Sequence, residues 1–282
     1  MALHPLRKLA LPATAADTYE RWLDSIEAGL DDPQCDRNLF CRETLYALYY
    51  PGTQTYDEAL ANPATSLTTR AALLALDPRN VTLEPEYYNE IDPVQYAPIK
   101  PLLWLWQSFD RSLVGGGNVD VGVRFRRILA KHIFKRCGSN FKCFQFVEFS
   151  FGYNLEVGDN VVVHRHVLLD DRGGIELGNR VSIADYANIY SHTHSIVNQV
   201  DVTNAKTILA DGVRITYHAT VLAGVHVGEE SMVGACAVAT RDVRPYHVNL
   251  GIPAKSVRVK PNAPDATQDT LDTARRRKNP GE

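Results

Sequence analysis

The chain has 282 residues, of which 45% are hydrophobic and 22% charged, the mixture of an ordinary soluble globular protein. Its formal net charge of −3 gives no general reason to expect nucleic acid or an anionic membrane as a partner, so a basic site would have to be local. It contains no run of about 18 apolar residues, which argues against a membrane span.

The N-terminal sequence and the cysteines indicate a cytoplasmic protein. The apolar start is interrupted by Arg7 and Lys8 and lacks the apolar core of a secretory signal. The five cysteines are odd in number and form no Cys-x-x-Cys pair. This usage favours free thiols in a reducing compartment over disulfides or a zinc knuckle.

The first hundred residues predict helices followed by loop. Residues 14–60 are largely helical in pattern, with a first helix after a candidate N-cap at Asp17 or Thr18 and a second from 38 to 51. Residues 61–100 are rich in Pro, Thr, Asn and Asp, so we expect loop there, with one helical island at 69–76.

Two helices and a turn are predicted before the main repeat. Residues 101–110 are strongly apolar, and at that length they indicate a helix packed on the protein. Residues 115–117 are three glycines and predict a tight turn. Residues 124–136 are basic; the favoured interpretation is the solvated face of an amphipathic helix, and the alternative is a patch for an acidic substrate or partner.

From residue 155 to residue 243 the sequence repeats every six residues, with an interruption at 195–208. The fifth position is mostly small, and Gly, Asp and Asn supply the corners. An aliphatic residue opens every repeat: Val157, Val163, Leu177, Ile183, Ile189, Leu209, Ile215, Val221, Val227 and Val233. This period predicts a parallel β-helix in which three repeats close one coil, because an ordinary antiparallel sheet would not hold one aliphatic column through all these rows.

The flanks of the repeat predict how the β-helix begins and ends. Residues 141–151 alternate apolar and polar side chains and predict a strand of the first coil. Residues 244–246 turn the chain out of the repeat, and residues 251–259 form a closing segment. We therefore predict a helical region at 1–136, a β-helix at 137–260 and a tail at 261–282 that is disordered or lies on a neighbour as a short helix.

Four motifs carry a resemblance to a known family. They are Phe151-Gly-Tyr-Asn-Leu-Glu-Val-Gly-Asp-Asn, Ile189-Tyr-Ser-His-Thr-His-Ser-Ile, Gly234-Ala-Cys-Ala-Val-Ala-Thr-Arg-Asp and Gly251-Ile-Pro-Ala-Lys. Residues 137–260 resemble the hexapeptide-repeat O-acetyltransferases of the maltose, galactoside and nodulation-factor branch, whose fold is a left-handed β-helix. The N-terminal half does not match that branch and is much longer than its usual helical leader.

The resemblance implies a homotrimer with active sites between subunits. It implies acetyl-CoA as co-substrate, no metal, and transfer to a hydroxyl of a sugar or sugar-containing acceptor. The loop at 195–207 is placed like the arm that reaches the neighbouring subunit's site in that family.

The family's catalytic histidine falls on His194. Independently, an alcohol needs a base to remove its proton as it attacks a thioester, and histidine titrates near working pH. Direct attack needs no acyl-enzyme, so Cys236, which lies in a repeat, is expected to be a small core residue rather than a nucleophile.

For the acceptor, the resemblance points to His166 and Asp171. His166 stands where the family usually has an asparagine that orients the acceptor, so the acceptor pocket is altered. Asp171 matches a recurrent acidic position, and two roles stay open for it: binding the acceptor or fixing the turn. Transfer to an amino group remains an alternative to transfer to a hydroxyl.

For the cofactor, the resemblance points to positions near CoA whose cations would face phosphates. The family's Val-Trp-Ile-Gly motif reads Val213-Arg-Ile-Thr here, followed by Tyr217 where a small residue is common. The wall of the cofactor or acceptor site is therefore altered. The expected cofactor-binding residues are Arg214, Tyr217, Ala235, Thr240, Arg241, Lys255 and Arg258. For Arg241 the alternative is a solvated residue at the rim.

Other functions are compatible with the same fold. The γ-type carbonic anhydrases bind a metal through histidines of adjacent subunits, and His192, His194 and His218 could be imagined in such a cluster. That family's His-x4-His spacing is absent from the sequence. A β-helix without activity is a third reading, and His194 in its motif argues against it.

Overall fold

The computed structural model describes residues 10–264. The expectations for residues 1–9 and for residues 265–282 of the tail lie outside the described residues. Two short 3₁₀ helices span Pro78–Asn80 and Glu84–Tyr87. The α-helices of the described part are α1 (Ala13–Asp31), α2 (Arg37–Tyr49), α3 (Tyr56–Ala61), α4 (Leu67–Leu74), α5 (Pro93–Tyr96), α6 (Lys100–Phe109) and α7 (Val119–Ile133). Within residues 10–264, no helix combines the length and the apolar character that crossing a membrane requires.

From residue 136 onward the chain forms short strands joined by corners. The strands are β1 (Arg136–Cys137), β2 (Lys142–Cys143), β3 (Glu148–Phe149), β4 (Leu155–Val157), β5 (Val162–Val163), β6 (Leu168–Asp170), β7 (Ile175–Leu177), β8 (Ser182–Ile183), β9 (Asn188–Tyr190), β10 (His192–His194), β11 (Val202–Asn204), β12 (Thr207–Leu209), β13 (Arg214–Ile215), β14 (Thr220–Val221), β15 (His226–Val227), β16 (Met232–Val233), β17 (Val238–Ala239), β18 (His247–Leu250) and β19 (Lys255–Val259).

Successive strands lie on three sheets in turn, and strands of consecutive coils pair in parallel. In the second sheet, for example, Val163 pairs with Ile183 and Ile215 pairs with Val233. All ten aliphatic residues that open the repeats are at most 1% exposed. The predicted fold class, mainly β with a left-handed parallel β-helix and a helical N-terminal region, is confirmed. The division into three domains stays a prediction.

The corners between the second and third sheets explain why Cys236 is not in the core. The fourth residue of each repeat there has a left-handed backbone, and its side chain points outward: Phe146, His166, Tyr186, His218 and Cys236 have φ between 56° and 62°. Cys236 is exposed, so the expectation of a core position is wrong. The first and fifth positions of a repeat face the core, and the fourth does not.

The N-terminal region covers the open end of the β-helix. Each coil donates backbone N–H groups to carbonyls of the next coil, as Lys142 donates to Val161. The corresponding carbonyls of the first coil, which face away from the second coil, have no preceding coil to pair with. Side chains supply the missing donors: Trp106 Nε1 to Val147 O at 2.9 Å, and Arg127 Nε to Phe141 O at 2.7 Å. The N-terminal region therefore caps the β-helix, since the open end of a solenoid has to be covered.

Three details of the helical region differ from the sequence-based expectations. Helix α1 begins after Pro12, so Asp17 and Thr18 lie inside it and do not cap it. The segment at 61–100 is more ordered than expected, since it contains α5 and both 3₁₀ helices in addition to the island at α4. The helices at 101–110 and within the basic stretch are confirmed as α6 and α7.

The basic face of α7 binds within the chain. Its outer cations pair with acidic residues of α1, as Arg124 does with Glu20 and Lys131 with Glu27. Arg126 differs, because it is 1% exposed. The sequence pattern placed it on a solvated face, whereas its guanidinium lies beneath the first coil.

Arg126 and Asp110 form a buried ion pair that also binds the first coil. Arg126 donates through Nε to Asp110 Oδ1 at 2.9 Å and through Nη1 to Cys143 O at 3.2 Å. Asp110 Oδ2 accepts from the backbone N–H of Phe146 at 2.6 Å. The pair thus joins α6, α7 and the β-helix in one polar contact.

Replacing Arg126→Met should lower the free energy of unfolding by roughly 3–5 kcal/mol, because it leaves the Asp110 carboxylate buried without its partner. Urea denaturation followed by circular dichroism measures this loss. Arg124→Met, which removes a partly exposed ion pair, is the matched control and should cost less than about 1 kcal/mol. Adding Asp110→Asn to Arg126→Met should recover part of the loss; equal losses for the two arginines would contradict the assignment.

Candidate active site

A hairpin interrupts the β-helix at its third corner, between the third and first sheets. Strands β10 and β11 pair antiparallel, with His194 opposite Val202. The tip projects from the chain and exposes three apolar side chains, Ile196, Val197 and Val200, each by more than 80%. Exposed apolar groups at the end of an arm favour contact with another surface.

His194 lies at the end of β10 with an exposed ring. Its Nδ1 is 2.8 Å from the carbonyl oxygen of Gln199. A carbonyl only accepts hydrogen bonds, so Nδ1 carries the proton and donates it, and in the neutral ring Nε2 keeps its lone pair. The hairpin thus presents a histidine nitrogen that is ready to accept a proton.

His192, two residues earlier on the same strand, is engaged on both sides of its ring. Nδ1 contacts Asp170 Oδ2, and Nε2 is 3.1 Å from Nη1 of Arg172. The rings of His192 and His194 meet edge to face, with centroids 5.1 Å apart. His192 is therefore an inner neighbour of His194 without a free nitrogen.

A cleft of about 270 Å³ opens beside His192, between the N-terminal region and the third corner. The N-terminal wall includes Glu84, Tyr88 and Gln107. Opposite them lie Glu148, Ser150, Asp170, Arg172, Tyr190 and His192. Polar and aromatic side chains thus converge next to the ring that contacts His194. No motif in the sequence indicated this wall, although Asp170 and Arg172 directly flank Asp171, which was expected to be a site residue.

Asp171, selected as an acceptor residue or a turn residue, is fully buried. Its carboxylate accepts from the backbone N–H of Phe151 at 2.7 Å and of Asn154 at 3.3 Å. Burial raises its pKa to about 7, against backbone hydrogen bonds that lower it. Of the two roles left open, these contacts favour fixing the turn.

His166 lies at the second corner, away from the hairpin. Its ring is stacked between Phe146 at 5.0 Å and Tyr186 at 4.8 Å, and Tyr186 stacks on His218 at 4.9 Å. Within one chain, the structure does not bring His166 to His194. The ring ladder was not expected, because its members are 20 or more residues apart in sequence and become neighbours only when the coils stack.

The residues expected to bind the cofactor fall into two groups in the structure. Thr240, Arg241 and Lys255 line one groove of about 540 Å³ at the third corner, together with Arg244 and Asn249. Arg214 and Arg258 lie on strands of the second sheet, and Tyr217 and Ala235 are exposed at the second corner. The groove lies at the corner that also carries the hairpin.

The histidines imagined as a metal cluster are not gathered in the chain. His192 and His194 lie on the hairpin, whereas His218 stacks on Tyr186 at a different corner. Among residues 10–264, no group of three His, Cys, Asp or Glu side chains is arranged to hold a metal ion. The hydratase alternative therefore has no support from this geometry.

Comparison with known proteins finds acetyltransferases among the similar sequences. The galactoside O-acetyltransferase of Escherichia coli K12 is 26% identical over 140 residues, covering 48% of this chain and 69% of that protein. A putative acetyltransferase of Staphylococcus aureus is 28% identical over 151 residues, covering 52% and 75%. The chain is an acyltransferase with a hexapeptide-repeat β-helix. No protein-family model matches the chain.

Solved structures of acetyltransferases share the fold of this acyltransferase. A maltose O-acetyltransferase from Clostridium difficile 630 superposes with a TM-score of 0.53 at 22% identity, covering 60% of this chain and 89% of that one. A galactoside acetyltransferase in complex with coenzyme A gives 0.52 at 22% identity, with 59% and 81% covered. A Vibrio cholerae hexapeptide-repeat acetyltransferase complexed with acetyl-CoA gives 0.52 at 20% identity, with 65% and 98% covered.

Asp171 should make the stability of the acyltransferase depend on pH. Its folded pKa of about 7 lies above that of an unfolded carboxyl group, about 4, so the folded state holds an extra proton between these values. The stabilisation from the neutral Asp171 carboxyl group is fully present below pH ~4, and the free energy of unfolding falls by roughly 4 kcal/mol as pH rises towards ~7. The asparagine of Asp171→Asn does not titrate, so this variant should lose the pH dependence. The unfolding free energy is measured by urea denaturation at each pH.

The control for that measurement is Asp159→Asn, which changes a carboxyl group at an exposed corner. Its unfolding free energy should follow the wild-type slope between pH ~4 and ~7. If Asp171→Asn also follows the wild-type slope, the buried carboxyl group is not the origin of the pH dependence.

Proposed function

We propose that the protein transfers an acetyl group from acetyl-CoA to a hydroxyl of a sugar or sugar-containing acceptor, with His194 as general base. One observation carries this proposal: Nδ1 of His194 donates to Gln199 O, which leaves Nε2 exposed and able to accept a proton. The relation to acetyltransferases supplies the reaction class.

In this reaction Nε2 of His194 removes the proton of the acceptor hydroxyl as its oxygen attacks the thioester carbonyl. The new C–O bond forms, the C–S bond breaks, and the proton on His194 passes to the departing thiolate. General-base assistance of this kind contributes about 10²–10⁴-fold in rate. Holding the two substrates together contributes much of the remainder.

The acceptor site we propose is the cleft beside His192. The exposed carboxylate of Glu148 can accept hydrogen bonds from hydroxyl groups, and the faces of Tyr88 and Tyr190 can pack on the C–H faces of a sugar ring. In this assignment the long N-terminal region builds one wall of the acceptor pocket as well as capping the β-helix.

The groove at Thr240, Arg241 and Lys255 is the proposed site for the phosphates of acetyl-CoA. Its cations match those phosphates, and Thr240 adds a hydroxyl donor. The groove therefore fits the co-substrate by the chemistry of its donors. Arg214, Tyr217, Ala235 and Arg258 remain proposed cofactor contacts on the neighbouring surface.

A cytoplasmic homotrimer is the assembly we propose. The hairpin with His194 lies at the third corner, and His166 and Tyr217 lie at the second corner of the same chain. A threefold arrangement would bring the arm of one chain to the second corner of the next and cover the apolar tip. The five cysteines are free, as expected for a reducing compartment.

His194→Ala should lower kcat by about 10²–10⁴-fold, because it removes the general base, and leave acetyl-CoA binding unchanged. Steady-state kinetics in an acceptor screen and calorimetric titration measure the two effects. His226→Ala, an exposed histidine on the outside of β15, is the matched control and should keep full activity. A folded His194→Ala protein with most of the wild-type rate would refute the base assignment.

Arg241→Ala and Lys255→Ala should each weaken acetyl-CoA binding by roughly tenfold or more, since each removes a charge-assisted contact to phosphate. Titration calorimetry should show one site per chain in the wild type, and the acceptor KM should change little. Lys142→Ala, an exposed lysine on the first coil, is the control. A rise confined to the acceptor KM would place these cations outside the acetyl-CoA site.

A further inference from the structure

Four side chains connect the N-terminal region to the hairpin through continuous contacts. Glu90 binds Arg172, Arg172 binds His192, and His192 binds Asp170. We name this set the arginine relay. It lies between the cleft and the core, and the side chain of Arg172 is only 6% exposed.

Arg172 is held from three sides. Its Nε donates to Glu90 Oε1 at 2.6 Å, and its Nη2 binds the same oxygen. The guanidinium carbon lies 4.0 Å from the centroid of the Tyr88 ring. Glu90 and Tyr88 both belong to the N-terminal region, so that region determines where the third hydrogen bond of Arg172 points.

This third hydrogen bond fixes the state of His192. A guanidinium group only donates hydrogen bonds, so Nε2 of His192 must accept from Arg172 and carry no proton. The ring proton is then on Nδ1, which donates to Asp170. His192 is locked in one tautomer with both nitrogens used, and it cannot exchange a proton with a substrate.

His194 meets this locked ring. The two histidines are two residues apart on β10, so their side chains leave the strand on the same face. Their rings are nearly perpendicular, at 85°, with centroids 5.1 Å apart. The Nδ1 bond to Gln199 fixes the tautomer of His194, and the edge of His192 limits the rotation of its ring.

We propose that Glu90 and Arg172 are positioning residues for the catalytic base. They hold His192 as a rigid surface, and that surface sets the direction in which Nε2 of His194 points. This inference rests on the proposed role of His194. It makes the N-terminal region part of the catalytic apparatus, since removing one of its carboxylates would disturb a ring three contacts away.

The kinetic test compares Glu90→Gln and Arg172→Lys with Glu27→Gln, a control that removes a carboxylate of the same region from a surface pair with Lys131. Each relay variant should lower kcat roughly 10- to 100-fold, the effect of a misdirected catalytic group, with smaller changes in acceptor KM and none in acetyl-CoA binding. Lysine at position 172 should not restore the wild-type kcat, because it keeps the positive charge but lacks the planar guanidinium group that donates to both Glu90 and His192.

The double variant Glu90→Gln/Arg172→Lys should be no slower than the single variants, because both act through one contact chain. Wild-type kcat in Glu90→Gln, additive losses in the double variant, or an effect confined to acceptor KM would overturn the inference.

A second measurement needs no acceptor. Two-bond ¹⁵N–¹H spectra of the full protein labelled at histidine report the tautomer of each ring, with His192→Gln and His194→Ala giving the assignments. The wild type should show His192 with its proton on Nδ1 alone, and Glu90→Gln should mix its tautomers and shift the signals of His194.

Unchanged spectra of both rings in Glu90→Gln would refute the relay. Spectra that change as expected, in a protein that neither binds acetyl-CoA nor transfers acetyl groups, would instead refute the proposed function and leave the coupling of the two histidines to the N-terminal region established.

Discussion

The stacking of aliphatic residues in one buried column is the constraint on which the rest of the structure depends. A single six-residue repeat cannot bury its own Val or Ile, so each coil is stable only against its neighbours. The register must therefore repeat, and Val163, Ile183 and Ile215 stand one above another in the second sheet. Residues inserted into the repeat must leave this column undisturbed, which is possible at the corners between strands.

The candidate site exists because of that freedom at the corners. The hairpin departs after β9 and returns before β12, and the aliphatic column continues on both sides of it with Ile189 and Leu209 fully buried. A rigid stack thus supports a projecting arm. The same stack aligns corner residues into rows, which is how the groove residues after β17 come to lie at the corner that carries His194.

The periodic part of the structure could be predicted from the sequence, and the contacts between distant segments could not. One column of aliphatic residues specified the coils, and the motif ending at His194 specified the hairpin histidine. By contrast, the pattern around Arg126 indicated a solvated face. A helical period gives no information about Asp110 and the carbonyl of Cys143, which accept hydrogen bonds from Arg126. Glu90 and Arg172 are 82 residues apart, and no local signal pairs them.

The side-chain donors beneath the first coil also limit the stacking of one β-helix on another. An uncovered row of carbonyls is a template on which the last coil of another chain could stack, and repetition of that contact would build a fibre. Trp106, Arg126 and Arg127 occupy the carbonyls of Val147, Cys143 and Phe141 with groups that offer no further strand. The repeat pattern itself sets no limit to the number of coils, and these contacts end the stack at the first coil. The contacts that join the two halves of the chain therefore also protect it against polymerisation.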